Sequence, residues 1–438
     1  MREDSCDSTR AVEVGASGCD ATHAIKVGAY WFTSVGTLAL QYAYSIIYVD
    51  LLDAFDGSRA ATALVGSLCA GVMDMSGYGS GSLIARFGER PCGAAGAALS
   101  GLGLVASSRA SALWQLYLTY GLMLGVGQSL ALYAGVVCVN RWFSNRLALA
   151  SALGNTGAGV GPFVMPYLWT ALKRSGGGGW RVALAALGAI IFAVLSAAAS
   201  RLAPPPPRPD DDDDDDDDDD RAAAPLVDDG EIRRLCWTTL AFGFGFWTPA
   251  VHLIRLGMDR GHSRRRSEML LFYVGIGALT VRVPVGSLGD ACGRRRVFSG
   301  FALLYALTQA GLPAFQRSYA GLALFAFLVG SFIGSLLSLI PTLVLDVPCG
   351  CPKRLARATG FVCSFLGVGG MAGPVVAGAL FDRHHTYIPG FLFGGLALLA
   401  ACVAVNWPVP PRAPPPEKGD VELAPPPPAL AGVAAGSE

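Results

Sequence analysis

Twelve apolar runs, each near the length that crosses a lipid bilayer, leave this chain little choice of architecture. They fall at 27–49, 61–84, 91–106, 113–139, 147–172, 182–199, 236–254, 269–288, 297–315, 319–345, 358–380 and 387–407. A hydrocarbon core of about 30 Å takes roughly 20 helical residues to cross, and short charged or Gly/Pro-rich joints separate the runs. Lipid offers no partner to a bare backbone, so a spanning segment is either a helix or part of a closed barrel. Continuous apolarity without period-two alternation excludes the barrel. Only 15% of the residues are charged, against roughly 25% in a soluble domain. The sequence therefore predicts an all-α membrane protein, a bundle of twelve transmembrane helices.

The 56 glycines suit close approach of membrane helices, so GSGSL and GVGG read as packing faces. Pro162, Pro166, Pro284, Pro341 and Pro374 lie in or near the runs and are the expected kink sites. The first 25 residues carry Arg2, Glu3, Asp4, Asp7, Arg10, Glu13 and Asp20 and no apolar stretch before Val27. No cleavable signal peptide is expected, and the amino terminus is placed in the cytoplasm. With that topology, 20 of the 33 Lys and Arg fall in cytoplasmic segments, 12 outside and one, Arg282, within a span, in keeping with the positive-inside rule. The outer segment RLGMDRGHSRRRSE, with five arginines, is the exception. The eleven cysteines are scattered and read as small apolar packers. Cys349 and Cys351 read as ordinary thiols before a metal pair, and His384 and His385 as solvated.

The chain divides into a tail (1–25), a six-helix bundle (26–200), a linker (201–234), a second six-helix bundle (235–407) and a proline-rich tail (408–438). The linker holds a polyproline step and eleven consecutive aspartates, Asp210 to Asp220, a solvated and self-repelling segment. Without them 22 acidic residues (33 minus 11) face 33 basic ones, so the zero net charge hides a surplus of +11 on the rest.

The halves repeat one another. GSLIARFGER, with Gly81, Arg86, Gly88 and Arg90, recurs as GSLGDACGRRR, with Gly286, Asp290, Gly293, Arg294 and Arg295, at an offset of 286 minus 81, or 205 residues. Glycines that permit close approach beside charges that pair with helix ends suit an inner gate between rocking bundles. The plainer reading is that these arginines only obey the positive-inside rule; two copies at equivalent places favour the gate. The pattern resembles the loop motif of the major facilitator superfamily, alternating-access transporters built of two pseudo-symmetric six-helix bundles. The first copy departs from it, with Ala85 where the motif has an aspartate.

A second resemblance is sharper. RWFSNRLALASALGNTGAGVGP, residues 141–162, is similar to the stretch that enters the fifth span of the monocarboxylate transporter family (solute carrier family 16), with Trp142, Phe143, Arg146, Leu149, Ala150, Leu153, Gly157 and Gly161 in register. Echoes in LSGLGLVASS, in GGGGWR, in LVLDV with Asp346, and in GFVCSFLGVGGMAGPVVAGALFD extend it over 25–405 apart from the linker. The family's first-span signature is reduced to DATHAIKVGAYW, its first-span lysine is missing from LALQYAYSIIYV, and Ala278 stands where proton-coupled members have an aspartate. The resemblance implies a divergent member: a secondary active or facilitative carrier of a small organic solute, a monocarboxylate first, in the plasma membrane with both termini cytoplasmic. Proton symport and proton-independent exchange both stay open.

Arg282, within GIGALTVRVPVG, is the residue that the resemblance and physics pick out together. An arginine at mid-span costs about 2.5–3.5 kcal/mol on insertion scales, so it faces a cavity or a partner. It keeps its charge, and its planar fork matches a carboxylate. It is the candidate grip on the substrate, with Asp74, Tyr42 and Asn155 as further candidate site residues. The alternative is a structural ion pair between Arg282 and Asp74. Asp74 itself has three readings: a proton site replacing the acid absent at Ala278, a counter-ion to the empty Arg282, or a group at the inner mouth. His252 reads as an interfacial polar residue before a proton relay, and Asn155, Gln128 and Gln309 as cross-helix hydrogen-bonders before pathway residues. No phosphate-binding loop points to an ATPase, and neither an enzyme activity nor a cofactor, metal or nucleic acid is expected. The expected partners are a small organic anion, protons if transport is coupled, and membrane lipid; by resemblance, a single-span immunoglobulin-type ancillary protein is an option that no residue here decides. Two rivals stay open: a non-transporting sensor or scaffold, which the acidic and proline-rich segments permit, and a proton-independent carrier of aromatic amino acids or related solutes.

Overall fold

The computed structural model describes residues 7–55, 57–143, 147–175, 177, 179–204, 226, 229–347 and 352–409. Arg146, the aspartate run, Cys349 and Cys351 lie outside the described residues, as does the side chain of Asp290. Every regular element described is a helix, and among the described residues the longer helices run as twelve consecutive rods, with a single turn at Leu312–Phe315 between the ninth and the tenth. These are α1 (Asp7–Phe55), α2 (Arg59–Met75 continued by Gly77–Phe87), α3 (Glu89–Ser108), α4 (Leu113–Trp142), α5 (Leu147–Asn155, Thr156–Val160 and Gly161–Ser175), α6 (Trp180–Arg201), α7 (Gly230–Asp259), α8 (Arg264–Cys292), α9 (Arg294–Ala310), α10 (Tyr319–Leu345), α11 (Pro352–His384) and α12 (Ile388–Val405).

Among the described residues, α4, α6, α10, α11 and α12 are each long and apolar enough to cross a membrane, and α1 and α2 join them when each is followed through its bend. The rest are diluted: α8 opens on Arg264, Arg265 and Arg266, and α3 is rich in glycine and serine. α1 starts at Asp7, inside the segment expected as a tail. Its bend of 44° falls after Tyr42, and the 49° bend of α2 falls at Ser76 and Gly77. Neither is at one of the five prolines proposed from sequence; Pro166, Pro284 and Pro374 sit within helices. A serine–glycine step bends α2 because it offers little side-chain packing to hold the turn straight.

Within the first half α3 packs on α4 and α6; within the second, α9 packs on α10 and α12, and α7 on α11 and α12. Between halves α2 lies along α11 and α5 against α8, two contacts that interchange on a shift of six helices. Lys26 of α1 donates to the Arg201 carbonyl at 2.8 Å, and Arg234 of α7 to the Trp407 carbonyl at 3.3 Å. The start and end of each half therefore share one end of the bundle, the linker face; the opposite end is the far face.

Glycines set the close contacts, though not all of those expected. In GVGG, a Cβ on Gly367 would lie 2.7 Å from the Gly71 carbonyl oxygen of α2, and one on Gly369 would lie 2.1 Å from the Leu240 carbonyl oxygen of α7. In GSGSL, Gly79 and Gly81 have nothing within 4 Å of a modest Cβ, and the contact there is a 2.9 Å hydrogen bond between the hydroxyls of Ser80 and Ser129.

Candidate functional site

The site forms where α5 of the first half meets α8 and α10 of the second. α5 tightens into a 3-10 turn at TGAGV, 156–160. Gly157 and Gly161 bring it onto α1: added Cβ atoms would fall 2.4 Å from the Trp31 carbonyl oxygen and 2.5 Å from Ala39 Cα. Asn155, at the junction, accepts from the Tyr30 hydroxyl at its Oδ1, 3.0 Å away. On the other side Gly277, Gly330 and Gly334 press α8 against α10, with Gly330 so close that a Cβ would sit 1.9 Å from the Val274 carbonyl oxygen. This approach delivers two acceptors to Arg282. Its Nε donates to Ser338 Oγ at 2.9 Å and to the Gly334 carbonyl at 3.2 Å, and its Nη1 donates to the Asn155 carbonyl at 2.9 Å.

Arg282 is 8% exposed and thus spans the junction of the halves on neutral partners. Among the described residues no carboxylate pairs with it and Nη2 donates to none. The ion pair with Asp74 weighed from sequence does not form. Asp74, half-buried on α2, lies at the seam with α11: a Cβ on Gly367 would come 3.0 Å from its own Cβ. Its electrostatic neighbours are Cys69, Tyr133 and Cys363. Those of Arg282 are Tyr30 and Tyr42, and the Tyr42 ring stands 5.4 Å from that of Trp247. The structure thus brings Asn155 and Tyr42 to Arg282 and leaves Asp74 on a different helix pair. Ala278 is buried where α8 touches Gly334.

His252 packs among aromatic rings inside the protein. It is fully buried, its Nε2 3.0 Å from the Pro374 carbonyl and its ring between those of Tyr48 and Tyr387 at 5.4 and 5.3 Å. α7 runs on to Asp259, about two further turns that carry the helix end past it. Gln128 and Gln309 do bond across helices, Gln128 accepting from Gln41 at 2.7 Å and Gln309 donating to the Gly245 carbonyl at 2.8 Å.

At the linker face the repeat is geometric. Gly88 and Gly293, 205 residues apart, turn the chain between consecutive helices at φ +88° and +92°, a region in which a Cβ is strained. Arg294 pairs with Asp346 at 2.7 Å and Arg295 with Glu231 at 2.5 Å. In the first half Arg90 donates to the Ser200 carbonyl at 2.6 Å and Arg86 lies 5.4 Å from the Phe87 ring. Gly286 lies within α8. Although Ala85 lacks the motif's carboxylate, a charge pair forms there: Glu89, fully buried, holds Arg141 at 2.9 Å. Sequence reasoning missed this pair, and the 205-residue offset was the signal, since Glu89 and Arg141 map onto Arg294 and Asp346.

A sequence profile described as the Major Facilitator Superfamily matches residues 30–281 and 235–435. The chain belongs to that superfamily. Its curated relatives include monocarboxylate transporter 13 of Rattus norvegicus, 27% identical over 374 residues and covering 84% of this chain and 85% of the relative. Monocarboxylate transporter 11 of Homo sapiens is 29% identical over 369 residues, covering 81% and 76%. Among solved structures, the nucleoside transporter NupG superposes with a TM-score of 0.68 at 12% identity over 87% of this chain and 98% of that one. The E. coli fucose:proton symporter FucP superposes at 0.62 and 15% identity over 87% and 97%. The superfamily fold of two pseudo-symmetric bundles is thereby established, and the chain is a multi-pass membrane transporter, not an enzyme.

Proposed function

We propose that this transporter carries a small organic anion, a monocarboxylate first, across the plasma membrane by alternating access, with the linker face and both termini cytoplasmic. The observation that carries this reading is Arg282: a permanent cation, buried at the junction of the halves, held by carbonyls and a hydroxyl rather than by a carboxylate. A guanidinium desolvated without a counter-ion is costly, and an incoming carboxylate supplies that counter-ion with charge-assisted hydrogen bonds. Asn155 and Tyr42 flank the grip. The names of the curated relatives support the same solute class. Gly88 and Gly293, with the charge pairs beside them, are the proposed inner-gate joints.

Flux tests the reading. Proteoliposomes holding the full chain are offered radiolabelled lactate, pyruvate, aromatic amino acids and creatine, with and without a pH gradient. Monocarboxylate uptake is expected, and Arg282→Ala at equal protein density is expected to lower it by about a hundredfold, as loss of a desolvated charged contact of roughly 3 kcal/mol requires. Uptake unaltered in Arg282→Ala overturns the grip. A pH-driven component that survives Asp74→Asn excludes Asp74 as the proton site, and the absence of any such component assigns proton-independent exchange.

A further inference from the structure

The ion pairs that join the two halves, among the described residues, lie on the far face, and the arginines of two of them are related by the internal repeat. Arg59 is the first residue of α2 and Arg264 the first of α8; their separation, 264 minus 59, is 205, the offset that relates the linker-face motifs. Each follows a serine N-cap, Ser58 accepting from the Ala61 amide at 3.1 Å and Ser263 from that of Arg266 at 3.4 Å. Each arginine crosses to the other half and meets an aspartate late in that half's first helix. Arg59 Nη1 reaches Asp259 of α7 at 2.5 Å, and Arg264 Nη2 reaches Asp50 of α1 at 2.9 Å.

The surroundings fix both arms. Asp50, 8% exposed, also accepts from Trp169 Nε1 at 2.7 Å and Lys173 Nζ at 2.8 Å, so α5 anchors the carboxylate that Arg264 takes. The Arg59 guanidinium lies 3.5 Å from the Phe381 ring centroid and donates to the Tyr387 hydroxyl at 2.5 Å. The carboxylate of Asp382, on α11, accepts from the backbone amides of Arg59 at 3.1 Å and Ala60 at 3.2 Å. Those are orphan donors of the first turn of α2, satisfied by the opposite half. Gly378 allows this, since a Cβ there would fall 2.7 Å from the Ala60 nitrogen.

We propose that the Arg59–Asp259 and Arg264–Asp50 pairs form a two-armed latch that keeps the far face shut, and that both arms part before the site at Arg282 opens to that face. The arms have the same chemistry, and their arginines equivalent places with aspartates one helical turn out of register, because opening is a rotation of one half against the other, which loads both ends of the far-face seam. Partly exposed pairs of this kind are individually weak, so the latch yields within the transport cycle while two together bias the resting state.

Hydrogen–deuterium exchange of the full chain in lipid nanodiscs, with no solute added, separates a gate from a brace and does not depend on what Arg282 binds. Arg59→Gln or Arg264→Gln is expected to speed exchange of 42–49 and 247–252, beneath the latch, by about two- to fivefold, and both together by about tenfold. Exchange of 77–87, on the linker face, is expected to slow as that side closes. The charge exchange Arg59→Asp with Asp259→Arg is expected to bring both regions part of the way back to parental rates, short of them because Arg255, which also pairs with Asp259 at 3.3 Å, then faces an arginine. A rise confined to 55–60 and 255–264, a rise on both faces together, or no rise at all overturns the latch. Asp259→Asn, which keeps the shape of the aspartate, gives the same test where a glutamine variant fails to accumulate.

Discussion

The pair Glu89–Arg141 and the pair Arg294–Asp346 occupy equivalent places, since 294 minus 89 and 346 minus 141 both equal 205, yet their polarity is reversed. Each ties the start of one helix to the end of the next, and Coulomb attraction does not depend on which side carries the positive charge. The helix dipole does: Glu89 lies in the first turn of α3 and Arg141 in the last turn of α4, where their charges are favoured, whereas Arg294 opens α9 and Asp346 follows α10, where theirs are opposed. Arg141→Ala leaves the buried Glu89 carboxylate unpaired and is expected to cost about 2 kcal/mol, read as a lower melting temperature of the purified protein. The exchange Glu89→Arg with Arg141→Asp is expected to recover part of that loss. The exchange Arg294→Glu with Asp346→Arg is expected to melt no lower than the parent, because each new charge then suits its helix end. Sequence alone offered a missing aspartate at Ala85 and no substitute, because the replacement lies beyond the glycine turn on a different helix.

Helix pairs decide which glycines matter. The seam between α8 and α10 runs backbone to backbone at Gly277, Gly330 and Gly334, and the acceptor carbonyl of Arg282 belongs to that seam. Gly330→Ala has no flexible neighbour to displace and is expected to cost about 1–3 kcal/mol and to lower flux even in the fraction that reaches the membrane. Gly300→Ala, with nothing within 4 Å of its Cβ, is the control and is expected to leave melting and flux unchanged. The abundance of glycine announced close packing, but the same residue in GVGG and in GSGSL has opposite surroundings. What stands opposite a glycine is a property of another helix, which local sequence does not contain.

Across the whole molecule, each half packs its own six helices, and the halves meet along α2–α11 and α5–α8 and through the far-face pairs. Two chains, 1–204 and 229–438, produced together are therefore expected to copurify, and their yield is expected to fall when Arg59 and Arg264 are both glutamine; separate elution of the parental pieces would show that the seams do not suffice. The spacing of apolar runs determined the all-helical membrane fold, and with the recurring motif its two related halves, because the thickness and dryness of a bilayer are imposed on any chain that crosses it. It also marked Arg282, since a charge in that setting stands out in one dimension. Only the tertiary structure decided that Arg282 rests on Asn155, Gly334 and Ser338 rather than on Asp74, that His252 is enclosed, and that Glu89 takes over the charge pair of the first half. Those partners lie tens to hundreds of residues away along the chain, and their meeting is set by how closely glycine-lined helices approach, a distance that no local pattern encodes.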